Sequence, residues 1–540
     1  MLISFTFFIA TLFVASFLYF RRKHKYWSNR GIDGPQGLPL LGNFYDVADV
    51  NKPRCFVLNE WTKLYGETFG YYEGTVPVLV TSNLELLNEV FIKQFDHFYA
   101  RKLTNMLHGD MESLQEEPRV NLFTARGPRW QKLRALTTPG FSVASLKRLH
   151  GKIEESVFRM VELLGEHENG GAFNIHIFFQ EFTYDVISRL AMGQQRVKQF
   201  ENAGIDVVKK ILLKTHRVLP WYLASIFPQF EFKVKKLFYN HENVRGGKIA
   251  ELFMYCAKSV MERMKQRVSV CENFALFNIL LQGEKAAQGQ EIEQNDFIDL
   301  FLDHHSEIEQ SYNESRKTIK QASAEDVIGS CFVLLLAGFD TTANALGCAA
   351  HLLALNPEKM KIAQEEIDEV CSSDNITYEQ IGQLQYLDAV IKESLRLSPV
   401  AWFACSRECV KQTTLGPHLI DEGVRIEADV KAIHYSKEIW GDDAELFVPE
   451  RYFSIIEHSE VRYSRWFAEQ HHPLSSLAFG AGKRKCVGMR LGMSEAKMAL
   501  AHVLRKWSIA AGPGTEEKLH FQGCTTTSPE KVTVHLKARS

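Results

Sequence analysis

Residues 1–20, MLISFTFFIATLFVASFLYF, carry no charge, and Arg21, Arg22, Lys23, His24 and Lys25 follow at once. At about 1.5 Å per residue a helix of that length spans about 30 Å, the hydrocarbon thickness of a bilayer. A cleaved signal places its positive charge first and a small-residue cleavage site after. Here the order is reversed, so residues 1–20 are expected to form a transmembrane anchor. The basic cluster, and with it the rest of the chain, is then expected on the cytosolic side. GPQGLPLLGN, residues 34–43, reads as a stiff non-helical elbow because Pro35 and Pro39 fix φ. Residues 21–43 therefore connect the anchor to one body, residues 44–540, in which no long Pro/Gly/Ser linker and no repeat occurs.

Within the body, residues 65–90 alternate aromatic and β-branched runs with turn residues and then turn helical, which predicts a small sheet. Most of the chain beyond residue 90 has helical period. Residues 210–240 mix bases with Trp, Phe and Leu around Pro220 and Pro228. They fit either a broken helix pair at a membrane surface or an ordinary helical hairpin. SAED, from Ser323 to Asp326, resembles a capping box and opens a helix running to Asn356, before Pro357. Its middle, CFVLLLAGFDTTANALGCAAHLL, is apolar nearly all round and should be buried. Gly338, Asp340, Thr341 and Thr342 interrupt it. Two readings stand side by side. In one, Thr341 bonds back to the Ala337 carbonyl and Asp340 finds a structural partner. In the other, Gly338 opens the helix while Asp340 and Thr341 handle protons in a dry cavity. Glu393 and Arg396 fall at i, i+3 on a helix ending before Pro399, and VTVHLKA near residue 535 reads as a strand. The class is mainly α with a minor β-sheet.

A chain of 540 residues with 45% hydrophobic and 24% charged residues is ordinary for a globular enzyme, and a net charge of −2 offers no basis for nucleic-acid binding. Ten cysteines are scattered without a CxxC pair, which argues against zinc and for reduced thiols. One of them changes the picture. FGAGKRKCVG, residues 479–488, sets Cys486 among three bases after a Gly-Ala-Gly turn. A dinucleotide loop would need a third glycine where Lys485 stands, and no GxxxxGK[ST] occurs. A nucleophile would need a base, and His502 lies sixteen residues on, in a helix. A thiolate fits: glycines admit backbone N–H groups to the sulfur, and bases and the helix beginning near Gly488 lower its pKa. Such a thiolate on haem iron donates electron density that favours O–O cleavage.

These residues resemble the cytochrome P-450 haem-thiolate monooxygenases. Phe479-x-x-Gly482-x-Arg484-x-Cys486-x-Gly488 is similar to the family's cysteine loop, and Ala337-Gly338-Phe339-Asp340-Thr341-Thr342 to its oxygen-activation helix. Glu393-x-x-Arg396 with Arg451 resembles its Glu–Arg–Arg core, and Trp130-x-x-x-Arg134 its haem-propionate helix. The stretches come in the family's order, with the anchor and elbow of its microsomal members. FYARK, RWQKLRALTTPGFS, SLRLSPVAW and VPERYF are most similar to the family-3 clan. The resemblance implies the P-450 fold, with Cys486 as axial ligand of haem b. It implies Trp130, Arg134 and Arg484 at the propionates, joined by Arg101 and Arg407. The segment from Pro399 to Arg407 is one residue longer than the clan's, which puts Arg407 in question. Ala337, Phe339, Val400, Ala401 and Trp402 are implied on the substrate side. Asp340 and Thr341 are implied as proton relay in inserting one oxygen atom of O2 into a lipophilic substrate, a xenobiotic, sterol or fatty acid. No flavin or nicotinamide motif is present, so electrons are expected from NADPH through the microsomal P-450 reductase. Arg129, Lys132, Lys483 and Lys485 are expected to form its docking face, and the endoplasmic reticulum is the implied location. Cytochrome b5 is a further partner on which the sequence is silent. The rival readings are a haem-thiolate isomerase or dehydratase acting on a peroxide, and a non-catalytic haem sensor or carrier.

Overall fold

The apolar run around Gly338 folds into one unbroken helix, Ala324–Leu355, hereafter the central helix. The structure is a computed structural model describing residues 2–101, 120–202, 204–213, 217–238, 251–266, 296–302, 324–456, 460–463 and 471–539. Ser323, the first residue of the SAED start, lies outside the described residues. Being apolar on every side, the central helix passes the length-and-apolarity test for a membrane span. Yet 72% of its apolar window is buried inside the protein, the mark of a core helix. Gly338 does not open it. A Cβ at that position would meet Ile187 Cδ1 at 2.9 Å, so the glycine lets helix Ile175–Ala191 pack against the central helix.

Leu2–Lys23 is helical, with Arg21, Arg22 and Lys23 in its last turn. Residues 34–43 contain no helix. The expected sheet forms from β1 (Thr68–Glu73), β2 (Val76–Thr81), β3 (Ser406–Glu408) and β4 (Arg425–Ala428), in the order β1-β2-β4-β3. β2 and β4 run parallel, Val78 opposite Arg425, while β3 runs antiparallel to β4 with Arg407 opposite Ile426. A bridge from Glu408 to Ala100 brings the residue before Arg101 alongside β3. The VTVHLKA run is a strand, Thr533–Ala538, pairing with Trp507–Ala510 and with Phe173–Asn174.

The largest core cluster surrounds the central helix. A second lies under the sheet and gathers Phe91, Trp402, Cys405, Leu474 and Leu477. The segment carrying Cys486 runs along the border between the two. Residues 210–240 are broken as expected, into Gly204–Leu212, Leu219–Ile226 and Glu231–Leu237, with Leu219, Phe227, Phe230 and Leu237 exposed.

Candidate active site

Gly480 and Gly482 both take positive φ, +67° and +65°. At Gly482 a Cβ would also stand 2.1 Å from the Phe91 carbonyl oxygen, so the turn needs glycine twice over. The turn folds the chain back until the Cys486 N–H reaches the Phe479 carbonyl at 2.9 Å. Helix Met489–Lys506 begins at the next turn, and the Gly488 N–H is directed at the Cys486 sulfur. Cys486 is exposed to solvent in area, yet its thiol sits deep enough for burial to push its pKa up. The Gly488 N–H, Arg101, Arg134 and Lys485 act in the opposite sense and favour thiolate. His502 is no base for it, because its ring meets Phe158 edge-on, 5.2 Å between centroids, at the far end of the helix.

The central helix leaves one face unpacked. Ala337 is exposed and Thr341 half-buried, although Leu335 and Phe339 are fully buried. The Thr341 hydroxyl donates to the Ala337 carbonyl at 2.7 Å. Gly492, on the helix after Cys486, would place a Cβ 3.6 Å from Thr342 Oγ1, so the two elements meet at this turn. Phe339 faces the packed side, edge-on to Tyr184, and not the substrate side expected for it. Trp402 is likewise inside the sheet-side core, while Ala401 remains half-buried and the Val400 carbonyl accepts from the Thr527 N–H at 2.9 Å. Asp340 is buried, and burial raises its carboxyl to about 6, although Thr526 and Asn344 donate to it.

Around the cysteine loop, arginines gather almost without carboxylates. Arg484 donates to the carbonyls of Tyr99, Leu122 and Ala125, and its guanidinium lies 4.4 Å over the Trp130 ring. Arg101 reaches the Arg484 carbonyl at 2.7 Å, and Arg134 the Lys485 carbonyl at 3.0 Å. A tight turn, Trp402–Cys405, leads from the segment after Pro399 into β3. Arg407 still arrives, with Nη2 3.3 Å from the Ala481 carbonyl oxygen. Among the described residues only Arg126 has an acid, Glu408. Burial holds Arg101 near 10, and burial, then repulsion from neighbouring arginines, holds Arg407 near 9 and Arg484 near 7. The Nε atoms of Arg101 and Arg407 are buried without a partner. Desolvated like charges at this density call for an anionic group, and a macrocycle with two carboxylates beside an accessible cysteine sulfur meets that need.

Glu393 and Arg396 are wholly buried, paired by two bonds of 2.7 and 2.8 Å. Arg451 joins at 3.2 Å. The Arg396 carbonyl accepts from His434 Nδ1 at 3.0 Å, and His434 Nε2 accepts from the Leu477 N–H at 2.9 Å. This neutral histidine, which no sequence pattern marks, ties the Glu–Arg–Arg core to the cysteine loop. Burial, then Arg396, lowers His434 from 6.5 to about 3. In the unfolded chain it takes a proton below about 6.5, and in the fold it does not, so its contribution to stability is lost as pH falls through that window. Wild type is therefore expected to lose stability between pH 7 and pH 5 relative to His434→Gln. Denaturant midpoints of both proteins at the two pH values check this, and parallel behaviour would refute it.

Of the expected docking bases, Lys483 and Lys485 are exposed. Arg129 is buried, and Lys132 is largely covered and paired with Asp326 at 2.7 Å, so neither lies on an open face. The sequence also gives no sign of a buried ion cluster against the sheet, in which Arg54 from helix Arg54–Tyr65 meets Glu73 of β1 and Arg425 and Glu427 of β4.

Comparison with known proteins agrees with this geometry. The family model described as cytochrome P450 matches residues 32–535. The Caenorhabditis elegans protein named "Putative cytochrome P450 cyp-13B1" is 54% identical over 531 residues, covering 98% of this chain and 99% of the relative. "Putative cytochrome P450 CYP13A1", from the same organism, is 37% identical over 541 residues, covering 98% of each.

Proposed function

The chain belongs to the cytochrome P450 family, a haem-thiolate monooxygenase by that membership, and from this premise we propose that it hydroxylates lipophilic substrates at a membrane with electrons from NADPH through a reductase. The observation that carries the reading is the accessible Cys486 sulfur beside Arg101, Arg134, Arg407 and Arg484, none of which pairs with an acid among the described residues. Cys486 would hold the haem iron, and Trp130, Arg101, Arg134, Arg407 and Arg484 its propionates. When bound, the haem supplies oxygen activation.

The chain's own residues supply the rest. Ala337 offers a methyl wall and no hydrogen bond, which suits an apolar substrate and leaves water without partners. Thr341 carries a hydroxyl on the same face, able to pass a proton one helical turn from Ala337. Burial disfavours the charge of Asp340 and lifts its carboxyl to about 6, close enough to neutrality for it to take up and give up a proton. Val400 and Ala401 approach from the segment beyond the Glu393 helix. The Leu2–Lys23 helix, with its basic end, is the membrane anchor in this reading, as residues 1–20, followed by the 21–43 elbow and the 44–540 body. Phe227 supports it, lying 6.1 Å between centroids from Phe20 among the exposed apolar residues of the 219–237 segment. Endoplasmic reticulum membrane is the location proposed. Lys483 and Lys485, open to solvent beside the cysteine loop, are the candidate contacts for the reductase.

The test is full-length protein in phospholipid vesicles with NADPH–P-450 reductase, measuring NADPH oxidised, oxygen consumed and product formed from lipophilic probes. Product formation requiring NADPH and reductase is expected. Rearrangement of an added organic peroxide without either would favour the isomerase reading instead. In Thr341→Ala, product is expected to fall roughly tenfold while oxygen uptake continues as hydrogen peroxide, the loss being modest for a proton-transfer group because Asp340 remains. Unchanged coupling would remove Thr341 from the relay.

A further inference from the structure

Asp340 lies in the core without a cation bonded to it; its Oδ2 accepts from Asn344 Nδ2 at 2.9 Å and from Thr526 Oγ1 at 2.5 Å. Asn344 is one turn further along the same helix, and Thr526 comes from the C-terminal hairpin in which Phe521–Gln522 pairs with Ser528–Pro529. The amide of Asn344 has its bonding capacity filled. Its Nδ2 donates to Asp340 and to the Thr527 carbonyl at 3.3 Å. Its Oδ1 accepts from His176 Nε2 at 2.9 Å and from Ser528 Oγ at 3.0 Å. With two donors and two lone pairs all used, the amide has one orientation, and so has the carboxyl it bonds. No other hydrogen-bond partner of Asp340 occurs among the described residues.

From this arrangement we infer that Asn344 and Thr526 are positioning residues for Asp340, holding Oδ2 and setting the pH at which the buried acid gives up its proton. The inference rests on the relay role proposed above for Asp340. Both donors are neutral and both favour the carboxylate, against burial, which favours the acid. The charged groups near the carboxyl are few: Lys209 from helix Gly204–Leu212 acts on it through space, and His176, from helix Ile175–Ala191, is held neutral by burial. The hairpin presents only Thr526, Thr527 and Ser528 there. The same hairpin bonds the Val400 carbonyl through the Thr527 N–H, so one loop touches both the acid and the candidate substrate wall.

The experiment is a pH titration of the infrared carbonyl band of the protonated carboxyl in the holoenzyme, assigned by its absence from Asp340→Asn. Thr526→Val, which keeps shape and removes the donor, and Asn344→Leu are each expected to raise the midpoint by about one pH unit. Thr526→Ser, which keeps the hydroxyl, is expected to titrate as wild type. A wild-type midpoint in both Thr526→Val and Asn344→Leu would overturn the assignment. So would an equal shift in Thr526→Ser and Thr526→Val, which would trace the effect to packing, and so would a band that Asp340→Asn does not remove. The relay reading fails separately: intact coupling in Thr341→Ala together with Asp340→Asn would sink it and leave these midpoints as expected.

Discussion

Replacing Cys486 by alanine is expected to abolish the red-shifted Soret band of the dithionite-reduced, carbon monoxide-treated protein, and all monooxygenase product with it. The reasons are local. The loop leaves one sulfur accessible, and the Gly488 N–H and the bases around it favour the thiolate. His502, near the other end of the next helix, packs on Phe158, so it offers no replacement ligand. The loop should keep its shape in the variant, because its form is set by Gly480, Gly482 and the Cys486 N–H bond to Phe479, none of which uses the side chain. Haem retained through Arg484, Arg101 and Trp130 but without the shifted band is therefore the expected spectrum. A normal band in Cys486→Ala would overturn the ligand assignment even with the fold intact.

Arg396→Met is expected to cost about 3–5 kcal/mol, a large share of the roughly 5–15 kcal/mol that holds a typical protein folded. Three losses coincide. Glu393, fully buried, is left with Arg451 at 3.2 Å and the Val448 N–H at 3.1 Å. The carbonyls of His434, Ala444 and Leu446 lose the donors that Arg396 gives them. The bidentate pair at 2.7 and 2.8 Å disappears. Arg396→Lys keeps the charge and loses the fork, so it should fall between wild type and Arg396→Met. Holoprotein yield and denaturant midpoints check both. A midpoint for Arg396→Met within experimental spread of wild type would show that the buried pair contributes little, and the link through His434 to the cysteine loop would lose its weight.

How far the site is legible in the sequence can be judged residue by residue. Cys486, Arg484 and Gly482 are readable from a ten-residue stretch because turn chemistry is local and needs only neighbours. Asp340 and Thr341 stand out as polar groups in an apolar helix, but sequence does not choose between a structural and a chemical role. The structure shows that Thr341 does bond to Ala337, and that Asp340 does have structural partners, one of which, Thr526, lies 186 residues away. Helical spacing alone places Asn344 on the same face as Asp340, so that partner is readable in principle. Phe339 and Trp402 are misplaced by the resemblance because it transfers positions along the chain and not the direction in which each side chain points. Arg129 and Lys132 fail differently. Basic residues are presumed solvated, and the pairing of Lys132 with Asp326, from the distant central helix, is not readable along the chain.

By itself the sequence determined the class, the unbroken central helix between its polar start and Pro357, the small sheet with its turn, and the glycine loop around Cys486. Periodicity, capping and positive φ act over a few residues, and those effects are written in order along the chain. Tertiary structure alone decided which buried charges are tolerated. Arg407 came to the cysteine loop through strand register with Ile426, after the tight turn Trp402–Cys405. His434 was set between two backbone groups, and Asn344 was locked by groups from two other elements. The reason is physical: a buried polar group is stable only with a partner, and here the partners are supplied by segments far apart in sequence, whose meeting no local pattern encodes.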